Sequence, residues 1–305
     1  MPAPIDGPMM ISLSEEERLS GVLTPEHLFD AVTAMFRDGL VVLSNAIDVQ
    51  VIDKLNDKMK DDTAKILSGA VKVHWNQGRD KGNVSQVPPI AEDWLFPEIY
   101  ANKAASHVLS HVLGPKPELR YIRSNTLLGN ATERQRVHKD VKMRHLMHPF
   151  AIAMNVCLID AFPENGSTEV WLGTTSQSTS DDLQEIGLGF VREDKLEERR
   201  AVRPPVQASI PKGSLILRDL RLWHAGMPNN TPETRVMLAF VYFAAWYGCE
   251  MQQPVPRSLK PAIEALAASN DSKIVVEYVD DELASDYLIV EFEAKFWSKL
   301  QQGAM

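Results

Sequence analysis

Cysteine is scarce in this chain. The 305 residues contain two, Cys157 and Cys249, each inside an apolar, strand-like run. A disulfide framework needs more thiols at shorter spacings, so both read as buried free thiols of a reducing compartment, and the cytoplasm is the expected location. Long apolar runs are also missing. No segment reaches the roughly 18 residues that a membrane-spanning helix needs, and a membrane is not an expected partner. Positive charge is in deficit: 32 Lys and Arg against 41 Asp and Glu leave a net charge of -9. Such a chain repels phosphate backbones, which argues against nucleic acid, and it disfavours a very anionic substrate unless one local basic pocket overrides the field. The opening MPAPIDGPMMISLSEEE lacks the basic-then-apolar order of a signal peptide. Ser298-Lys299-Leu300 looks like a peroxisomal address, but QQGAM follows it, and that address is read only at the extreme C-terminus. Repeats and low-complexity linkers are absent.

What is present is an ordinary globular composition, 44% apolar and 24% charged, on a chain long enough to bury a substantial core. The first third reads as helical. Thr24-Pro25 has the form of an N-cap and first helical residue, with Leu28, Val32, Met35 and Phe36 at helical spacing up to Gly39. Leu40–Leu43 reads as a buried strand. A second helix follows Asp48, with Val51, Ile52, Leu55, Met59 and Ile66 on one face. Val71 to Pro89 is polar and rich in Gly and Pro, and reads as a long surface loop of the kind that often carries function. A third helix spans about Ala101 to Leu113 and stops at Gly114-Pro115.

After Pro117 the pattern changes to short β-rich runs: Leu119–Leu128, Phe150–Ile159, Glu169–Leu172, Val206–Ile210, Ser214–Leu217 and Val236–Trp246. Turn signals such as Pro163-Glu164-Asn165-Gly166 and Pro211-Lys212-Gly213 separate them. That series predicts a sandwich or double-sheet barrel with helices outside it. Asp181 to Arg203 is a charged insertion, partly helical. The expected organisation is one domain over 1–305: a mainly helical support (1–117), a β core (118–250) and a helical or mixed extension (251–305).

One constellation carries chemistry. In RQRVHKDVKM, His138 and Asp140 are two residues apart, so in extended chain an imidazole and a carboxylate point the same way. His224, in LRLWHAGMPNN, ends another strand-like region and supplies a third donor. Two histidines and one carboxylate on one octahedral face leave three positions open, the ligand set of non-haem iron(II) oxygenases. Arg235 follows eleven residues after His224 and opens the apolar run through Tyr242. With MPNNTPET as a turn, the strands of His224 and Arg235 are expected to pair as a hairpin that points the guanidinium into the barrel. A cation in an apolar strand needs an anion, and the distal carboxylate of 2-oxoglutarate suits its fork. A surface Asp or Glu is the alternative partner.

HKD, NGSTEVWLGTTS and LWHAGMPNNTPETR together resemble the phytanoyl-CoA dioxygenase (PhyH-like) family of iron(II)/2-oxoglutarate oxygenases, over about residues 25–246. The resemblance implies a double-stranded β-helix (a jelly-roll, cupin-like barrel), iron(II), 2-oxoglutarate and O2. It also implies that Gln135 and Thr168 contact 2-oxoglutarate and that Asn125 faces the same pocket, while Asn83 on the polar loop is a candidate substrate contact. Where the family commonly has Pro-Gly-Ser-His, this chain has Leu172-Gly173-Thr174-Thr175-Ser176, so that histidine's role is absent. Asp140 favours hydroxylation, desaturation or a related C–H oxidation over halogenation, whose enzymes replace the carboxylate with Gly or Ala. Met237, two residues after Arg235, departs from the Arg-x-Ser of plant-type relatives.

His145 and His148 lack a carboxylate partner two residues away. His107 and His111 are four apart on a helix but lack a matching acid. The expected activity is oxidation of a small hydrophobic or polycyclic metabolite. Competing readings are an acyl-CoA 2-hydroxylase and a catalytically silent β-helix that binds a ligand or serves as a subunit. Assembly as a homodimer is left open.

Overall fold

The computed structural model of the chain describes residues 7–141, 148–175, 183, 189–284 and 286–288. The N-terminal part comprises β1 (Met9–Ser12), α1 (Glu15–Ser20), α2 (Pro25–Asp38), β2 (Leu40–Ser44), α3 (Val49–Lys65), β3 (Asn83–Gln86), α4 (Pro97–Tyr100) and α5 (Lys103–Leu113). The β-rich part follows with β4 (Glu118–Leu127), β5 (Ala151–Cys157), β6 (Glu169–Val170), α6 (Glu193–Val202), β7 (Val206–Gln207), β8 (Leu215–Asp219), β9 (His224–Ala225) and β10 (Arg235–Phe243). The chain continues through β11 (Gln253–Pro256), α7 (Lys260–Ala268), β12 (Lys273–Ile274) and β13 (Val276–Val279).

The helix ends fall where the capping residues place them. Thr24 takes the His27 N–H on its hydroxyl and Pro25 occupies the first turn, while Gly39 closes α2 at φ 77°. A side chain at Gly39 would also meet Thr175 at 2.5 Å, so the position excludes larger residues on both counts. Asp48 caps α3, whose Ile52, Leu55 and Met59 are fully buried. The buried face of α2 is rotated from the expected one: Ala31, Ala34 and Met35 are buried and Phe36 is exposed.

A large sheet runs in the order β1-β2-β8-β5-β10-β4-β12, with β3 also on β4. A small antiparallel sheet, β7-β6-β9, forms the second wall. This is the double-stranded β-helix expected from the sequence. Alternation along the central strands divides the residues between two environments. Val41, Leu43, Leu215, Leu217, Leu238 and Phe240 join the core beneath the helices. Leu40, Val42, Ile216 and Met237 face the other way, toward Val170 and Leu172 of the small-sheet side. α6 covers the outside of the small sheet, where Leu196 packs with Val137, Trp171, Val191 and Trp223.

Two expectations need correction. The strands of His224 and Arg235 do not form a hairpin: β9 pairs with β6 in the small sheet, and β10 pairs with β4 and β5 in the large one. The segment between them crosses from one wall to the other. Nor is 71–89 a plain surface loop. Trp75 bridges Val84, the Asn76 N–H donates to the Asn83 carbonyl, and β3 extends the large sheet beside β4. Asn83 and Gln86 are buried polar side chains with partners: Asn83 accepts from the Asn76 amide, and the Gln86 amide donates to the Met59 carbonyl and accepts from Thr63 and Thr126. Among the described residues, no helix is long and apolar enough to cross a membrane. Cys157 and Cys249 are buried and neither forms a disulfide, as expected.

Candidate metal centre

Between the two sheets lies a cavity of about 950 Å³, near the upper end of the range for small-molecule sites. Its walls include His138, Asp140 and His224, together with Arg235, Gln135, Thr168, Asn83 and Asn125. The three proposed ligands and the five proposed cofactor and substrate contacts therefore border one space.

The three ligand candidates meet. One donor atom from each of His138, Asp140 and His224 lies within 4.8 Å of the others. Among the described residues this is the one cluster of three or more histidine, cysteine or acidic side chains that could hold a metal ion. Oδ1 of Asp140 is 3.8 Å from Nε2 of His138 and 3.5 Å from Nε2 of His224. Donors on one octahedral face at bonds of about 2.0–2.2 Å stand about 3 Å apart, so the three groups need to draw in by less than about 1 Å to share an ion. Each imidazole has its other nitrogen beside a backbone carbonyl: Nδ1 of His138 is 2.9 Å from the Arg136 oxygen, and Nδ1 of His224 is 3.0 Å from the Leu222 oxygen. Protons donated there leave both Nε2 lone pairs directed at the common point, the usual tautomer of a metal-bound histidine.

Electrostatics keep the donors in the states a metal requires. Burial would raise the Asp140 carboxyl, but the Arg218 guanidinium foremost, joined by the two imidazoles when they are protonated, outweighs it and holds the group well below the usual carboxylate range. Burial pushes both imidazoles down. Asp140 opposes this at His138, whereas Arg218 adds to it at His224. The centre is thus one carboxylate and two neutral imidazoles.

Arg235 is buried at 2% exposure, and its Nε donates to the Asn165 carbonyl at 3.2 Å. No carboxylate of the described residues pairs with it, and burial depresses its guanidinium. Gln135 is anchored: its Oε1 accepts the Gly226 N–H at 2.9 Å, while Gly226 accepts the Gln135 N–H on its carbonyl. The Gln135 amide N–H groups are left for the cavity.

Several contributors escaped the sequence reading. Arg218 donates from Nη2 to Oδ2 of Asp140 at 2.7 Å. Gln77 sets its amide 2.9 Å from Nδ1 of His138 and takes the Arg136 N–H on its oxygen. Asn76 donates to the amide oxygens of Asn83 and Asn125 at 3.1 and 2.9 Å. Thr174, in the segment that lacks the family's histidine, accepts the Trp223 N–H and donates to the Trp171 carbonyl, so it braces the residue before His224. Arg218 had a legible signal: in LILRDL it shares a strand face with Ile216, the same cation-in-apolar-strand pattern that marked Arg235.

Of the alternatives, His145 lies outside the described residues and His148 is exposed. His107 takes the Leu23 N–H on Nδ1, a structural role, and His111 contacts the His107 carbonyl.

The fold and the site define a double-stranded β-helix protein with a two-histidine, one-carboxylate centre in its cavity. The chain belongs to the phytanoyl-CoA dioxygenase (PhyH) family, whose sequence model matches residues 35–237. Solved structures with the same fold include EctD from S. alaskensis with bound Fe, at 20% identity and a TM-score of 0.59, covering 80% of this chain and 84% of that one. EctD with 2-oxoglutarate and 5-hydroxyectoine aligns at 19% identity and a TM-score of 0.58, covering 79% and 81%. SnoK, a non-heme alpha ketoglutarate dependent carbocyclase from nogalamycin biosynthesis, aligns at 17% identity and a TM-score of 0.55, covering 73% and 85%.

Proposed function

We propose that this chain is an iron(II)- and 2-oxoglutarate-dependent dioxygenase that oxidises a C–H bond of a small hydrophobic or polycyclic metabolite. The observation that carries the reading is Arg235: a buried guanidinium in the cavity of the metal cluster, with no acid partner among the described residues. An uncompensated buried cation is costly, and a ligand carboxylate supplies the missing charge through paired hydrogen bonds. His138, Asp140 and His224 would hold the iron. Arg235 would bind the distal carboxylate of 2-oxoglutarate, with Gln135 and Thr168 as polar contacts beside it. Iron and 2-oxoglutarate, when bound, would supply the activation of O2 for C–H oxidation.

The protein's own tasks are to bind, orient and exclude water. Asn83 and Asn125 are proposed substrate contacts, aligned by Asn76. Val141, Ala153, Leu220, Ala239 and Val241 give the cavity its apolar surface, which suits a hydrocarbon-rich substrate. The buried cysteines, which form no disulfide, agree with a cytoplasmic protein.

The test is to add iron(II) and 2-oxoglutarate anaerobically and look for a visible metal-to-ligand charge-transfer band, then admit O2 and measure succinate. Absence of both would refute the proposal, and the band without succinate would favour the silent ligand-binding reading.

A further inference from the structure

We infer that Arg218 is a positioning residue that limits Asp140 to a single metal bond and so preserves the third open position on the ion. The inference rests on the iron/2-oxoglutarate reading above. A carboxylate can bind a metal through one oxygen or both. On an octahedral ion held by two imidazoles, a one-oxygen carboxylate leaves three positions, enough for a chelating keto acid and O2. A two-oxygen carboxylate leaves two, and the keto acid would fill them.

The geometry divides the two oxygens of Asp140 between two partners. Oδ1 faces Nε2 of both histidines, at 3.8 and 3.5 Å. Oδ2 faces Arg218, at 2.7 Å from Nη2. Arg218 is itself held: it sits on β8, is 8% exposed, and places Nη1 3.3 Å from Nδ1 of His224. The same nitrogen lies 3.0 Å from the Leu222 carbonyl; in the tautomer that frees Nε2 for a metal its proton goes to that carbonyl, and the guanidinium then packs against the imidazole edge. One side chain thereby touches two of the three proposed ligands. A cation next to a metal site opposes metal binding by Coulomb repulsion. A plain counter-ion role therefore predicts that its removal tightens metal binding and leaves the number of open positions unchanged. A positioning role predicts that the number changes.

The experiment counts exchangeable waters on Mn(II) bound to the full-length protein, by field-dependent water-proton relaxation, without O2 or substrate. The wild type is expected to hold about three, Arg218→Met about two, and Arg218→Lys, which keeps a donor for Oδ2, about three. Adding 2-oxoglutarate should then leave about one on the wild type and none on Arg218→Met. About two waters on the wild type, or an unchanged count in Arg218→Met, would overturn the inference. The wild-type count decides even if Arg218→Met fails to fold. A wild type with about three waters that 2-oxoglutarate does not displace would instead sink the oxygenase proposal and leave the Arg218 comparison standing.

Discussion

His138 and His224 exchange both of their backbone hydrogen bonds: each N–H donates to the other's carbonyl, at 3.0 and 3.1 Å. Residues paired this way stand directly opposite and project their side chains to the same side, which brings the ring centroids to 4.3 Å. Two positions 86 apart in sequence (224 − 138) are thus fixed by main-chain geometry. Asp140 joins them through the two-residue period of extended chain, and its own N–H is fixed to the Leu220 carbonyl at 3.1 Å. The cluster is set by the backbone before any metal arrives.

That preorganisation separates the effects of removing different ligands. His224→Ala and Asp140→Ala should each lower iron(II) affinity by at least about 100-fold, the upper range for loss of an outer-shell partner. Their metal-free stabilities should differ. Asp140→Ala leaves Arg218 buried without its carboxylate and should cost about 1–3 kcal/mol, less than a fully buried pair because a quarter of the Asp140 side chain is exposed. His224→Ala removes a group that holds no such charge. Denaturant titration of the metal-free proteins checks this, and equal losses would contradict it.

Arg235 predicts opposite signs for stability and ligand response. In the empty protein its guanidinium is buried without an acid partner among the described residues, so Arg235→Met should leave the metal-free melting temperature unchanged or raise it. The same variant should lose the stabilisation that 2-oxoglutarate gives the wild type, with KM for 2-oxoglutarate rising by about 100-fold or more, as expected for loss of a charged hydrogen-bonded partner. Arg235→Lys keeps the charge but not the fork and should fall between the two. Thermal shift with and without 2-oxoglutarate reads both effects. A Met variant that still responds to the keto acid would refute the assignment.

The ligand set was legible because it obeys a short-range rule, the two-residue period that places His138 and Asp140 on one side. Arg235 was legible because a cation breaks an apolar strand. The pairing of β9 was not: a nine-residue connection between two strands suits a hairpin as well as a crossing between walls, and local sequence does not distinguish them. β3 was missed because alternation was sought in hydrophobicity. There one face is amide and hydroxyl, partnered inside the protein, so buried polar residues looked like solvent-facing ones. β1 left little to read, with Ile11 its one buried side chain.

Gly226 tests the backbone link between the two halves of the site. A Cβ added there would lie 2.6 Å from Oε1 and 2.8 Å from Cδ of Gln135. Gly226→Ala must therefore displace the Gln135 amide or lengthen its bond to the Gly226 N–H. The displacement falls on a proposed 2-oxoglutarate contact, next to but not on the ligand His224. The expected result is a 2-oxoglutarate KM raised by about tenfold, the effect of roughly one neutral hydrogen bond, with iron(II) affinity nearly unchanged. Titration of each ligand in the presence of the other separates the effects, and a loss confined to iron would place Gln135 outside the cofactor pocket.

Glu17 gives the fold a pH dependence away from the metal. Its carboxylate accepts the Ser14 and Thr24 N–H groups at 2.9 and 2.8 Å and contacts Nδ1 of His27 at 2.8 Å. Burial alone would raise its pKa, but the two backbone donors and His27 outweigh it and bring it from 4.5 to about 2. A carboxyl depressed on folding contributes stability that is fully present above its unfolded value and is lost as pH falls through the folded one. The contribution should therefore be complete above about pH 4.5 and disappear as the pH approaches about 2. Glu17→Gln keeps the shape and removes the charge. It should cost about 1.5–3 kcal/mol at pH 7, the range for hydrogen bonds to a charged group. The gap between variant and wild type should close on acidification through that window. Urea unfolding of the metal-free protein at pH 7 and in steps toward pH 3 measures it, and a gap independent of pH would show that the bonds, not the charge, hold the α1–α2 corner.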